Sequence, residues 1–190
     1  MAKYLIIDNY DSFTYNLHHY LEDILKQDVD VLRNDDARLD HLEAYSHLIF
    51  SPGPGLPEEA GKMNELILRE AGRKKMLGIC LGMQAMAVCH GGKLENLSQV
   101  VHGMPAVLSF RDENDALFQR IDTPIEVGRY HSWVVNPESV SSSFHLTSFT
   151  EDGLLMSFTH KELPMYGVQF HPESILTPQG KVLMENFTKI

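Results

Sequence analysis

The chain has 190 residues, of which 43% are apolar and 22% charged, a composition typical of folded globular proteins and far from disordered ones. Sixteen Lys and Arg against 26 Asp and Glu leave a formal charge of −10, which disfavours a nucleic acid or an anionic membrane as partner. Two cysteines, Cys80 and Cys89, are too few for a disulfide framework and lack the spacing of a zinc site. Reduced thiols fit a cytoplasmic location, and no stretch approaches the ~18 apolar residues of a membrane span. The length suits one domain, taken as residues 1–190.

A short apolar run at residues 4–7, ending at Asp8, reads as a strand buried on both faces. The polar turn Asn9-Tyr10-Asp11-Ser12 follows. Phe13, Leu17, Tyr20, Leu21, Ile24 and Leu25 then recur at helical spacing. Val29, Val31 and Leu32 give a second strand. Residues 48–50 give a third, which runs into Ser51-Pro52-Gly53-Pro54-Gly55. Met63, Leu66 and Ile67 mark a helix ending near Gly72, residues 76–79 a fourth strand, and a further helix runs from Gly82 to Gly91-Gly92. This alternation predicts an α/β fold with a parallel sheet. Beyond residue 92 strands dominate, with candidates at 107–110, 125–127, 145–149, 154–158 and 165–170 and a last helix over 180–187.

Three places carry chemistry. In Gly78-Ile79-Cys80-Leu81-Gly82 a cysteine stands between a strand and a helix, framed by glycines that permit a sharp turn. A thiol at a helix N-terminus is biased toward thiolate, and the following N–H, on Leu81, is placed to meet an oxyanion. A buried structural cysteine is the plain alternative. Cys89 has no such frame and reads as core. In Gly167-Val168-Gln169-Phe170-His171-Pro172-Glu173-Ser174 a strand ends at a histidine with a carboxylate two positions on, a proton carrier and its orienting group. Joined to Cys80 they form a candidate Cys-His-Glu triad. The rigid loop 51–55 offers backbone N–H groups for a second oxyanion donor, and no Gly-Lys-Ser/Thr follows to make it a phosphate loop.

Together with Asp-Asn-Tyr-Asp-Ser-Phe-Thr-Tyr-Asn at residues 8–16 and Arg-Tyr-His-Ser at 129–132, these motifs closely resemble the class I glutamine amidotransferases over nearly the whole chain. Within that family they are similar to the glutaminase subunits of chorismate-using enzymes, anthranilate synthase component II and its counterpart in 4-amino-4-deoxychorismate synthase. The resemblance implies a flavodoxin-like doubly wound, mostly parallel sheet flanked by helices, with a small antiparallel region in the second half. It implies Cys80 as nucleophile on the glutamine amide, His171 as base and then acid, and Glu173 as the group that orients His171. The N–H groups of Leu81 and Gly53 would form the oxyanion hole, with Pro54 and Gly55 beside it. Gln84 would contact bound glutamine, and Ser132 and Trp133 would offer backbone groups to its α-amino and α-carboxylate ends.

The resemblance also implies no metal or cofactor on this chain, with Mg²⁺ held by a larger chorismate-binding synthase partner that receives the ammonia. Two positions depart from the family pattern. Met83 stands where a histidine is frequent, and Met104 where a lysine often follows His102-Gly103, in a loop that faces the partner in relatives. The rival reading is a stand-alone cysteine hydrolase of γ-glutamyl compounds or peptides. A non-catalytic binding module is disfavoured by the intact Cys80, His171 and Glu173.

Overall fold

The computed structural model describes residues 2–190 except 111, 113 and 141, and only the backbone of residues 99, 100 and 110. The first half alternates as its sequence predicts. β1 (Tyr4–Asp8), β2 (Asp30–Arg33), β3 (His47–Phe50) and β4 (Lys75–Ile79) are interleaved with α1 (Thr14–Leu25) and α2 (Met63–Glu70), and α3 (Leu81–Cys89) follows β4. β1 and β3 are buried along their whole length. Because successive side chains on a strand point to opposite faces, β1 splits between two cores. Leu5 and Ile7 join Leu48, Phe50, Met63, Leu66, Met83 and Met86 under α2 and α3. Tyr4 and Ile6 join Leu17, Leu21, Ile49, Leu77 and the last helix on the other face. Each fully buried Leu or Ile contributes ~1.5–3 kcal/mol, so continuous apolar runs here favour strands covered on both sides.

The second half builds β5 (Leu94–Phe110), β6 (Ile125–Val135), the short α4 (Pro137–Val140), β7 (Phe144–Thr150), β8 (Leu155–His160), β9 (Met165–Val168) and α5 (Gly180–Lys189). Among the described residues nine strands form one sheet in the order β2-β1-β3-β4-β9-β8-β7-β5-β6. β2, β1, β3, β4 and β9 run parallel, with the crossover order of a doubly wound sheet. β9 is the seam: parallel to β4 on one side and antiparallel to β8 on the other.

Beyond β9 all neighbours are antiparallel. This part is longer than its sequence suggests, since the strands expected at 107–110 and 125–127 are one end of a long β5–β6 ribbon. The pairing of that ribbon shifts register between Asn96 and Val101 and again between His102 and Met104, with Gly103 at φ +67°. Such bulges erase the two-residue alternation by which a strand is recognised. No described helix is long and apolar enough to cross a membrane.

Candidate active site

The site assembles at the carboxyl edge of the parallel strands, where β4 ends. A Cβ on Gly78 would lie 2.5 Å from the Gly82 carbonyl carbon, and one on Gly82 would lie 2.5 Å from the Phe50 carbonyl oxygen. The two glycines therefore let β4, α3 and the end of β3 approach within backbone contact. Cys80 turns the chain between them at φ +51°, ψ −102°, a conformation costing ~1–3 kcal/mol outside glycine. Its N–H donates to the Val168 carbonyl at 2.8 Å, and its own carbonyl accepts from Gln84 N at 3.0 Å. These bonds to β9 and α3 hold the turn. The side chain is 6% exposed. Leu81 opens α3, so its N–H has no partner within the helix.

His171 follows β9. Its N–H donates to the Gly128 carbonyl at 3.0 Å, its carbonyl accepts from Thr177 Oγ1 at 2.6 Å, and Tyr130 and Phe13 pack against its ring at 4.9 and 6.3 Å between centroids. Nδ1 lies 2.6 Å from Glu173 Oε1, both side chains being almost wholly buried. This commits Nδ1 to the carboxylate and leaves Nε2, which has no hydrogen-bond partner among the described residues, for Cys80. Burial by itself pulls the imidazole down. Interaction with Cys80 and with Glu173 outweighs it and raises the pKa to about 10, so the ring carries a proton at neutral pH. The two side chains flanking Pro172 are thus brought into contact.

The loop 51–55 is anchored from β1. Asn9 N–H donates to Ser51 Oγ at 2.9 Å and Asn9 Nδ2 to the Ser51 carbonyl at 2.8 Å, while Asn34 Nδ2 fixes Asn9 Oδ1 at 3.0 Å. A Cβ on Gly53 would meet Asn9 Cβ at 2.6 Å and Leu81 Cδ2 at 3.0 Å, so the Gly53 backbone packs against the Leu81 side chain. Gly53, Pro54, Gly55, Cys80, Leu81, Gln84, Ser132 and Trp133, all expected from the sequence, line one cavity of about 280 Å³ together with Tyr130 and His131. A second cavity of about 470 Å³ shares Gly53, Pro54, Cys80 and Tyr130 with the first and extends past His171 to Tyr10, Asp11, Phe13 and His102. Cys80 stands between the two.

Three residues at this site have no role that the sequence alone reveals. Asn9 reads there only as part of a turn. His131 is 5% exposed, with neither ring nitrogen bonded among the described residues. Burial first, then the charges of Arg129 and His171, push it down to about 4, so it is neutral. Gln169 is fully buried with Nε2 3.4 Å from Cys80 Sγ. All three lie inside motifs already singled out, and that membership is the signal by which they could have been found. Cys89 lies elsewhere, half-buried, its thiol donating to the Asn64 carbonyl at 3.6 Å and pushed up to about 11 by burial and by Glu58.

One His/Cys/Asp/Glu group among the described residues is close enough to share a cation, His18, His19 and Glu22 on α1, and none of these lines either cavity.

The family model of class I glutamine amidotransferases matches residues 5–190. The chain belongs to that family. It is 43% identical over 185 residues to aminodeoxychorismate synthase component 2 of Escherichia coli, covering 96% of this chain and 97% of that protein. It is 45% identical over 185 residues to anthranilate synthase component 2 of Lactococcus lactis, covering 96% and 92%. Against the bifunctional protein TrpGD of Thermotoga maritima it is 36% identical and spans 32% of that longer protein.

Among solved structures, a glutamine amidotransferase from Thermotoga maritima superposes with a TM-score of 0.79 at 16% identity, covering 99% of this chain and 96% of the other. A Thermoplasma acidophilum protein assigned to GMP synthase gives 0.87 at 24% identity, covering 100% and 93%. At those identities the likeness shows the fold. In this amidotransferase the two family departures fall in different settings. Met83 is fully buried in the core beside Gly167, whereas Met104 is 53% exposed on β5.

Proposed function

We propose that the chain hydrolyses L-glutamine through a Cys80 thioester and passes ammonia to a chorismate-binding synthase partner that makes anthranilate or 4-amino-4-deoxychorismate. The observation that carries this reading is the convergence on Cys80 of two sets of groups, Gly53 and Leu81 in the wall of the first cavity and His171, paired with Glu173, from the side of the second. The Cys80 thiolate attacks the side-chain amide carbon, forming the C–S bond. The N–H groups of Gly53 and Leu81 hold the resulting oxyanion. His171 Nε2–H gives its proton to the departing nitrogen, the C–N bond breaks, and ammonia leaves. Water then transfers a proton to Nε2 and its hydroxide attacks the thioester. The C–S bond breaks, glutamate is released, and the thiolate–imidazolium pair is restored. Glu173 keeps Nδ1–H in place throughout. Gln84 contacts the bound glutamine, backbone groups of Ser132 and Trp133 hold its α-amino and α-carboxylate ends, and the neutral His131 completes that wall.

The second cavity gives ammonia a side away from the glutamine pocket. Tyr10 lines this cavity and is 51% exposed, and Phe13 and Pro52 add apolar lining beside it. We assign the synthase partner to this face. The chain itself requires no metal or cofactor, Mg²⁺ belonging to the partner, and its reduced thiols fit the cytoplasm.

The test is ammonia release and aminated product with a chorismate-binding partner present. Glutamine hydrolysis should rise when the partner is added. The Cys80→Ser complex should lose glutamine-driven product yet keep ammonium-driven product. Partner-independent turnover of γ-glutamyl compounds would instead mark a stand-alone hydrolase.

A further inference from the structure

Gln169 sits one residue past the end of β9, directly after Val168, whose carbonyl accepts the Cys80 N–H. Its side chain has no exposed surface. The Oε1 end receives Gln84 Nε2 at 3.1 Å, and the Nε2 end lies 3.4 Å from Cys80 Sγ. Gln84 Nε2 also donates to the Trp133 carbonyl at 2.8 Å.

The polarity of this chain of bonds is dictated at its far end. A main-chain carbonyl only accepts, so the Gln84 atom facing Trp133 must be the amide nitrogen. That nitrogen's second hydrogen points at Gln169, so the Gln169 atom meeting it must be the oxygen. The other end of Gln169 is then the NH₂ group, a donor, and it faces the sulfur. A donor beside sulfur favours the thiolate over the thiol. It also denies the thiol hydrogen an acceptor on this side, which leaves His171 Nε2 as the direction in which the proton departs.

We propose that Gln169 acts directly on the nucleophile, as the donor that stabilises and aims the Cys80 thiolate, with its orientation locked by Gln84 and the Trp133 carbonyl in the wall of the glutamine cavity. This rests on Cys80 being the nucleophile. It adds a third polar group to the sulfur, besides His171 and the helix N-terminus, and it ties the nucleophile to the substrate wall through two hydrogen bonds.

The experiment is the pH dependence of iodoacetamide alkylation of Cys80 in the full chain, in a Cys89→Ser background so that one thiol is read. Glutamine kinetics with the synthase partner are measured alongside. Gln169→Leu should move the alkylation midpoint to higher pH by about one unit, a roughly tenfold loss of thiolate at the foot of the curve. It should lower kcat about 10-fold or more with KM little changed. Gln169→Glu, which keeps the shape but turns an acceptor toward sulfur, should shift the midpoint further the same way. Gln84→Met, which frees the Gln169 amide to rotate, should give a smaller shift of the same sign.

Where Gln169→Leu does not fold, as judged by circular dichroism and thermal melting, the isosteric Gln169→Glu carries the test. An unchanged or downward-shifted alkylation profile in a folded Gln169 variant overturns the proposal. A shifted profile in a chain that hydrolyses no glutamine would leave the donor role standing and remove the glutaminase reading instead.

Discussion

The two ends of α3 each carry a cysteine, and almost nothing else about them is shared. At the N-terminal end Cys80 is held at φ +51° between two glycines, its sulfur facing a donor amide and the His171 ring. At the C-terminal end Cys89 is the last helical residue, its thiol bonded to the Asn64 carbonyl and pushed up to about 11. One neighbour gives a hydrogen bond to sulfur and the other takes one from it. The helix dipole favours a negative charge at the first end and opposes it at the second. Two thiols equivalent in composition are thus set apart by their positions in the fold.

That contrast can be broken at graded cost. Cys80→Ser should reduce glutamine hydrolysis with partner to background, and a glutamine-analogue electrophile should label Cys80 alone; preferential labelling of Cys89 would reverse the assignment. His171→Ala should cost roughly 10²–10⁴-fold in turnover, the usual contribution of a positioned proton carrier. Glu173→Gln should cost less, since the amide oxygen still accepts from Nδ1–H and only the charge is lost. A Glu173→Gln effect equal to that of Cys80→Ser, in a folded and assembled complex, would give the carboxylate a larger part than orientation.

Gly82→Ala attacks the frame itself. Its methyl group meets the Phe50 carbonyl oxygen at 2.5 Å and Phe50 Cβ at 2.8 Å, so overpacking of about 1–3 kcal/mol should appear in denaturant unfolding, together with lost activity. Cys89→Ser should leave turnover within about twofold, since the thiol lies outside both cavities. In a Cys80→Ser background, alkylation of Cys89 should stay slow at neutral pH and rise only as pH approaches 11. A raised thiol pKa holds the unreactive protonated form below that value.

The elbow around Cys80 was legible because glycine has few reasons to flank a cysteine between strand and helix, and the space at Gly78 and Gly82 leaves no room for another residue. Strands β1, β3 and β4 were legible because burial on both faces demands unbroken apolar runs. The β5–β6 ribbon was only partly so. Much of β5 is solvent-facing, as at Glu95, Asn96 and His102, and with its register shifts it leaves no periodic trace. Asn9 and Gln169 stand within recognisable motifs yet show no role there, because sequence does not say which way an amide points. Each acts through a contact with a residue far along the chain, Ser51 for Asn9 and Cys80 for Gln169. The three-residue 3₁₀ turns at Pro57–Glu59 and Ala116–Phe118 are too short to show any period.

The seam strand has a consequence for the order in which the molecule comes into being. Gln169 lies 89 positions beyond Cys80, and β9 must insert between β4 and β8 before His171 can reach the sulfur. Contacts this distant in sequence are late and slow to form, since the loop-closure entropy precedes any reward. During synthesis the elbow therefore emerges with β4 still an open edge, long before His171 has been made. A chain interrupted anywhere short of Glu173 has the thiol but lacks one or both members of the His171–Glu173 pair. The assembled site in this fold is a report that translation has passed the seam.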